Sequence, residues 1–338
     1  MLVLGLGGIG QRHVRNLRRL LGDEVEFTAY RVRGDAAVLT DTLHVESSEG
    51  VEEKYRIRTV PSVEAGVEER PDVVLVCNPS SLHVVAATAA ARAGCHLFIE
   101  KPLGDRRDGV ETLIEIVDSK ETVALVGYQW RFHPLLARVS QLLAESSIGK
   151  ILTVRAESGD YLPGWHPYED YRRMYAARRD QGGGVILSQI HEMDYLYWLF
   201  GRPSRVMAMG GRRSSLDIDV EDAASILMDF GGLPVHAQLD YLQRPARRSL
   251  QIVGESGTIL ADLLAPRLQV FMDGSVIEDA TFEGFTRADM FLAEMQHFLR
   301  CVAGKDQPVV TLRDGYQSLI MALGARESLE TGRVVTLS

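Results

Sequence analysis

Gly5-Leu6-Gly7-Gly8-Ile9-Gly10 spaces its glycines as Gly-x-Gly-x-x-Gly directly after the apolar run at 2–4. Backbone N–H groups bared at the start of a helix bind an anion, and side chains there would hold a diphosphate at a distance. That helix is present in the pattern: across 11–21, Val14, Leu17, Leu20 and Leu21 recur at helical spacing. Residues 25–30 then read as a second strand, completing a strand–turn–helix–strand unit. In this context Gly5, Gly7, Gly8, Ile9 and Gly10 read as a dinucleotide diphosphate site, and a tight structural turn is the competing reading.

The end of the second strand runs Tyr30-Arg31-Val32-Arg33-Gly34-Asp35. An acid at the first position past the strand would take adenosine ribose hydroxyls, whereas a guanidinium fork matches a 2′-phosphate. Arg31 and Arg33 therefore favour NADP over NAD. Solvated surface arginines are the plain alternative, and Asp35 remains within reach of a ribose. A third signal is Glu100-Lys101-Pro102, after the apolar strand at 95–99. Ligands of open α/β sheets bind beyond the C-terminal strand ends, so a lysine there can donate or accept a proton on a substrate oxygen. Spacing alone would equally allow a surface lysine.

Bulk properties limit the partners. Across 338 residues, Lys+Arg total 37 and Asp+Glu 46, a formal charge of −9. That sign argues against nucleic acid or an anionic membrane as a general partner. Cys77, Cys95 and Cys301 are widely spaced, with neither a zinc nor a disulfide pattern, and no histidine–carboxylate spacing suggests a metal. No apolar run reaches the ~20 residues of a membrane span, and no basic, apolar leader is seen, so a cytoplasmic protein is expected.

The elements needed to position these residues are legible. Strand-like runs at 57–60, 73–77, 95–99 and 123–126 alternate with helical patterns at 62–69, 82–93 and 111–117, implying a doubly wound parallel sheet. Residues 36–55 are polar and carry no periodic signal. After Tyr128 the pattern changes: a helix at 135–145, a strand at 151–158, an aromatic and charged loop at 161–184, and one helix over 186–200. Strands follow at 205–210, 223–230, 234–241, 249–254, 257–262 and 267–272, then helices at 290–303 and 315–330. The expectation is an α/β chain: a Rossmann domain over 1–127, then an α+β domain over 128–338 with a largely antiparallel, open-faced sheet, its C-terminal helices packing back on the first domain.

The segments Cys77-Asn78-Pro79-Ser80-Ser81-Leu82-His83, Glu100-Lys101-Pro102 and Gly127-Tyr128-Gln129-Trp130-Arg131-Phe132-His133-Pro134 fall at successive strand ends. With Gly182-Gly183-Gly184 and His191-Glu192-Met193-Asp194, they resemble the glucose–fructose oxidoreductase / inositol dehydrogenase (Gfo/Idh/MocA) family over essentially the whole chain. The resemblance implies hydride exchange between a nicotinamide and a sugar-like alcohol or ketone. It implies Asn78, Pro79, His83, Glu100, Lys101, Gln129 and Arg131 around the cofactor, Lys101 and His191 as the proton-handling pair, and a homodimer or homotetramer built through the second sheet. Many members carry an aspartate four residues before the histidine, where this chain has Leu187, with Ser188 the nearest polar residue upstream; Glu192 or Asp194 would then be left to orient His191. In the loop, Tyr161, Trp165, His166 and Arg173 offer aromatic platforms and polar groups suited to a sugar, or else pack over the domain junction. Arg172, Arg173, Arg178 and Arg179 could hold a nucleotide- or acid-bearing substrate. Alternative functions are an NAD-dependent glycosidase of this fold, a non-catalytic dinucleotide-binding regulator, and an imine or biliverdin-type reductase.

Overall fold

The computed structural model describes residues 1–32, 37–47 and 50–337. Strand β1 (Leu2–Leu4) is buried on both faces and runs through the glycines into α1 (Gly8–Leu21). β2 (Phe27–Tyr30) pairs parallel with β1. The stretch without a periodic signal holds a short hairpin, β3 (Val38–Leu39) and β4 (Val45–Ser47), and α2 (Val51–Tyr55). Then come β5 (Ile57–Thr59), α3 (Val63–Glu68), β6 (Val73–Val76), α4 (His83–Arg92), β7 (His96–Glu100), α5 (Val110–Lys120) and β8 (Ala124–Gly127). Ser62 starts α3 by accepting a hydrogen bond from the Ala65 N–H at 3.1 Å. The six-stranded sheet is parallel, in the order β5-β2-β1-β6-β7-β8. Strand order reverses between β1 and β6, which opens a crevice at their C-terminal ends. Gly5, Cys77, Lys101 and Tyr128 are the residues that directly follow β1, β6, β7 and β8.

A 3₁₀ turn (Gln129–Phe132) leads to α6 (Pro134–Ala144) and β9 (Ile151–Gly159). Four 3₁₀ turns occupy much of the aromatic loop. The single helix expected over 186–200 is two helices, α7 (Val185–Ser188) and α8 (His191–Phe200). The chain leaves helical geometry at Gln189 (φ −102°, ψ 38°), whose side-chain amide donates to the Asp240 carbonyl at 3.1 Å. Apolar residues continue across the break, so periodicity could not reveal it. The consequence is functional: His191 opens a helix instead of lying within one.

The second sheet follows with β10 (Arg205–Gly211), β11 (Ala223–Phe230), β12 (Leu233–Asp240), β13 (Arg247–Gly254), β14 (Gly257–Asp262), β15 (Arg267–Met272) and β16 (Ser275–Thr281). Helices α9 (Arg287–Val302) and α10 (Leu312–Thr331) and strand β17 (Val335–Thr336) complete the chain. The nine strands are ordered β16-β15-β14-β13-β9-β12-β11-β10-β17, antiparallel except for the parallel β12/β9 pair. One face buries Val154, Val206, Ile226, Ala237 and Leu250, and α10 lies against β10 and α8. The other face is open and carries the exposed Met207, Met209 and Leu227 among polar residues, with Met207 directly opposite Leu227. Strand β16 went unpredicted because its residues are mostly exposed and show no apolar alternation.

The last helices return to the first sheet. Met295 and Phe298 of α9 are fully buried with Val3, Val14 and Leu17, and each such burial contributes about 1.5–3 kcal/mol. Helix α9 starts three residues before the expected 290, because Thr286 and Asp289 form a capping box: the Asp289 carboxylate accepts from the Thr286 N–H at 2.8 Å. Among the described residues no helix is long and apolar enough to cross a membrane.

Candidate active site

The glycine turn is shaped by three different needs. Gly5 has φ 103°, and a Cβ there would lie 2.7 Å from the Cys77 carbonyl oxygen. A Cβ on Gly10 would collide with the Gly5 carbonyl. These two let the turn close on itself and on β6. Gly7 differs: a Cβ there would meet nothing within 4 Å. The space it leaves clear, at the positive end of α1 with no acidic residue in its first turn, fits a dinucleotide diphosphate. Ile9 packs, partly buried, against the core behind the turn.

A Cβ on Gly8 would lie 3.1 Å from the Tyr168 hydroxyl, so the aromatic loop of the second half reaches the glycine turn. Tyr168 stacks on His166 (ring centroids 5.3 Å apart), and the His166 Nδ1 meets the Glu169 carboxylate at 2.8 Å. Burial pushes the Tyr168 phenol up, so it keeps its proton and can donate to an anion. Sequence reading passed over Tyr168, because only the fold brings it to the glycines.

The strand ends frame the crevice. His83 sets one ring nitrogen 2.7 Å from the Pro102 carbonyl oxygen and the other 2.8 Å from the Asn78 carbonyl oxygen, which ties the end of β6 to the end of β7. Glu100 is buried against His13, with Oε1 2.6 Å from Nε2. Burial pushes the Glu100 carboxyl up, but the His13 hydrogen bond and the Lys101 charge outweigh it, leaving the group below its ordinary value. Asn78 Oδ1 and Gln129 Oε1 are buried acceptors without a partner among the described residues. Orphaned acceptors of this kind suit a ligand amide. Pro79 directly follows Asn78 and caps the 3₁₀ turn before α4.

Two expected cofactor residues have protein partners. The Arg131 guanidinium makes a bidentate pair with Asp194 (3.0 and 2.8 Å) and also donates to the Val309 carbonyl at 3.0 Å, with both ionic side chains buried. Arg31 meets the Glu52 carboxylate of α2 at 2.5 Å. Arg33 and Asp35 lie outside the described residues.

Lys101 points from the end of β7 toward the second half of the chain. Its ammonium donates to the Ser188 carbonyl at 2.9 Å and lies 3.5 Å from the Tyr175 hydroxyl. The lysine is thus held by a main-chain oxygen, and the position before it is the apolar Leu187. His191, the first residue of α8, is buried beside it, edge-on to Tyr128 (5.7 Å) and Trp130 (6.4 Å). Burial, then the charges of Lys101, Arg248 and Arg287, hold its imidazole well below the ordinary histidine range. It is therefore neutral at pH 7, and its Nδ1 has no partner among the described residues. Neither neighbouring carboxylate orients it: Glu192 pairs with Arg248 at 2.9 Å, and Asp194 with Arg131.

The loop residues divide. Trp165 packs edge-on against Tyr241 (5.2 Å), and Tyr161 carries the Arg244 guanidinium 4.0 Å above its ring. The surface arginines meet carboxylates close by: Arg172 with Asp170, Arg178 with Asp180, and the Arg179 N–H with Asp219. Arg173 is exposed. The cations that do face His191, Arg248 and Arg287, come from β13 and α9 and had no signal in local spacing.

Two family descriptions match this chain: residues 1–128 match an oxidoreductase family with an NAD-binding Rossmann fold, and residues 136–260 match the GFO/IDH/MocA C-terminal domain. The myo-inositol 2-dehydrogenase of Thermotoga maritima is 27% identical, covering 99% of this chain and 97% of its own length. The D-xylose 1-dehydrogenase (NADP(+)) 2 of Haloferax volcanii is 24% identical, covering 99% and 98%. A levoglucosan dehydrogenase solved with NADH and levoglucosan superposes with a TM-score of 0.83 at 18% identity, covering 99% and 98%.

Proposed function

Because this chain belongs to the GFO/IDH/MocA family of NAD-binding oxidoreductases, we propose that it moves a hydride between a nicotinamide dinucleotide and a carbinol or carbonyl carbon of a sugar-like substrate. The observation that carries the reading is the Lys101 ammonium, tethered 2.9 Å from the Ser188 oxygen beside a buried, neutral His191, at a strand end next to the glycine turn. When bound, the dinucleotide supplies the hydride chemistry. Lys101 hydrogen-bonds the substrate oxygen and offsets negative charge developing there. His191 takes the hydroxyl proton during oxidation and returns it during reduction. Tyr175, 3.5 Å from the ammonium, helps fix the lysine's direction. Leu187 removes the carboxylate from this set, so the lysine is held by the Ser188 carbonyl instead.

Two residues bear on the choice of dinucleotide. Arg31 at the tip of β2 supports NADP, while the Glu52 carboxylate that meets it supports NAD, since it would repel a 2′-phosphate. The test is a fluorescence titration with NADH and NADPH, followed by a screen of cyclitols, aldoses and sugar acids read as nicotinamide absorbance. NADP use predicts that Arg31→Ala weakens NADPH binding about tenfold and leaves NADH unchanged. Equal loss for both, or none, means NAD. The pH profile of oxidation follows from His191. Its folded pKa is lowered, so the base stays neutral as pH falls through 6.5, the ordinary histidine value, and kcat/KM holds there and drops only further into acid. A drop centred near 6.5 would remove His191 from the role. Sugar release with no net change in nicotinamide would favour the glycosidase chemistry.

A further inference from the structure

Residues 161–184 of the second half touch the first half at three separated places. At the glycine turn, a Cβ on Gly8 would lie 3.1 Å from the Tyr168 hydroxyl. At the end of β7, the Tyr175 hydroxyl stands 3.5 Å from the Lys101 ammonium. Beyond β6 and β7, a Cβ on Gly182 would lie 3.0 Å from the Ser80 Cβ and 2.8 Å from the Asp105 Cβ. One loop therefore meets the segments that follow β1, β6 and β7. A dinucleotide with its diphosphate at the glycine turn and its nicotinamide by Lys101 must lie along those same strand ends.

Tyr168 stands at the edge of the diphosphate space. A Cβ on Gly7 would meet nothing within 4 Å, but at the next residue the Tyr168 hydroxyl and the Leu43 Cδ2 would each lie 3.1 Å from a Cβ. The clear space is thus walled by both halves of the chain, with Leu43 from the turn between β3 and β4 and Tyr168 from the loop. Of these two side chains only the phenol can donate a hydrogen bond. Stacking on His166, at 5.3 Å and 17° between ring planes, fixes the direction of the phenol. Glu169, the carboxylate that also faces the phenol, is held by the His166 Nδ1 at 2.8 Å.

The two limbs of the loop are anchored differently. In the limb at 175–184, the Gly184 N–H and the Tyr241 hydroxyl both donate to the Ala176 carbonyl, at 3.1 and 3.3 Å. The limb at 164–173 carries the exposed Gly164, Pro167, Asp170, Arg172 and Arg173. Its backbone hydrogen bonds are local, as from the Glu169 N–H to the His166 carbonyl at 3.2 Å and from the Arg173 N–H to the Asp170 carbonyl at 2.9 Å. A tie to the body is the Tyr171 hydroxyl, which accepts from the Asp217 N–H at 3.1 Å. A limb built this way opens at small cost, and a ligand contact at Tyr168 would hold it down.

We propose that Tyr168 is a cofactor-binding residue supplied by the second half of the chain: its hydroxyl donates to the dinucleotide diphosphate, and the loop at 161–184 is a strap that lifts before the dinucleotide leaves. The proposal rests on the dehydrogenase reading above. A hydrogen bond from a phenol to a phosphate oxygen is charge-assisted and belongs to the stronger kind. Tyr175 stands on the same loop, so the contact that retains the dinucleotide also steadies the neighbour of the Lys101 ammonium.

The test compares the wild type with Tyr168→Phe, which keeps the ring and its stacking and removes only the hydroxyl. Stopped-flow fluorescence measures the NADH off-rate, and calorimetry measures the affinity for ADP-ribose, which carries the diphosphate without the nicotinamide. Trypsin reads the strap, because Arg172, Arg173, Arg178 and Arg179 are exposed cleavage sites on it. The NADH off-rate is expected to rise about tenfold in Tyr168→Phe and ADP-ribose to bind about tenfold more weakly, at an unchanged urea midpoint. Saturating NADH is expected to slow cleavage at 172–179 in the wild type, and less so in the variant. An off-rate that does not change, or a loss for NADH without a loss for ADP-ribose, overturns the phosphate contact. Cleavage of the wild type at the same rate with and without NADH overturns the strap. A protein that binds neither NADH nor ADP-ribose loses the dehydrogenase reading and this proposal together, whereas binding of both with no effect of Tyr168→Phe removes this proposal alone.

Discussion

Lys101→Met is expected to lower kcat about 10³-fold while NADH affinity stays within about twofold. The ammonium touches the protein through the Ser188 carbonyl and the Tyr175 hydroxyl, and neither contact holds a sheet or helix together. Methionine keeps the length and most of the volume, so the fold and the nearby crevice should persist. What disappears is the one cation that can hydrogen-bond the reacting oxygen from β7. Single-turnover absorbance at saturating cofactor reads the chemical step directly. A loss confined to KM would reduce Lys101 to a binding contact, and a loss of less than about tenfold would end its claim to proton handling.

The second large effect is on stability. Arg131→Ala should cost about 3–5 kcal/mol, because it strands the Asp194 carboxylate in the interior. Burial already pushes that carboxyl up, against the pull of Arg131. Ser318 Oγ, 3.4 Å away, is a weak substitute. Urea unfolding at pH 7 measures the loss. Replacing both partners, as Arg131→Met with Asp194→Leu, should recover most of it, since no buried charge then remains. The same double variant tests the expectation that Arg131 touches cofactor: NADH affinity within about twofold of wild type would retire it.

These two residues show what could and could not be read from the sequence. The glycine turn was legible because its requirements are local: a strand before it, a helix after it, and three positions where a side chain would block either the backbone or a ligand. Lys101 was legible as a strand-end residue, and His191 through the company of its motif. Arg131 was placed by motif at the cofactor, yet its partner lies 63 residues further on. Arg31 meets Glu52 in the stretch that carried no periodic signal. Arg248 reaches Glu192 across 56 residues. A long-range pair leaves no trace in spacing, so sequence reading sees an arginine and not its debtor. The break at Gln189 was hidden for another reason: the apolar pattern continues through it. The early start of α9 could have been found, because Thr286 and Asp289 stand at capping-box spacing.

The two helices that return to the first sheet also set an order of events. The glycine turn and its strands are synthesised well before Met295 and Phe298, which finish the apolar layer over Val3, Val14 and Leu17. A growing chain therefore exposes that layer until α9 has been made. The nucleotide crevice becomes a finished surface only when the chain closes on itself, so a fragment ending at the first sheet would expose apolar surface, whereas the whole chain seals it.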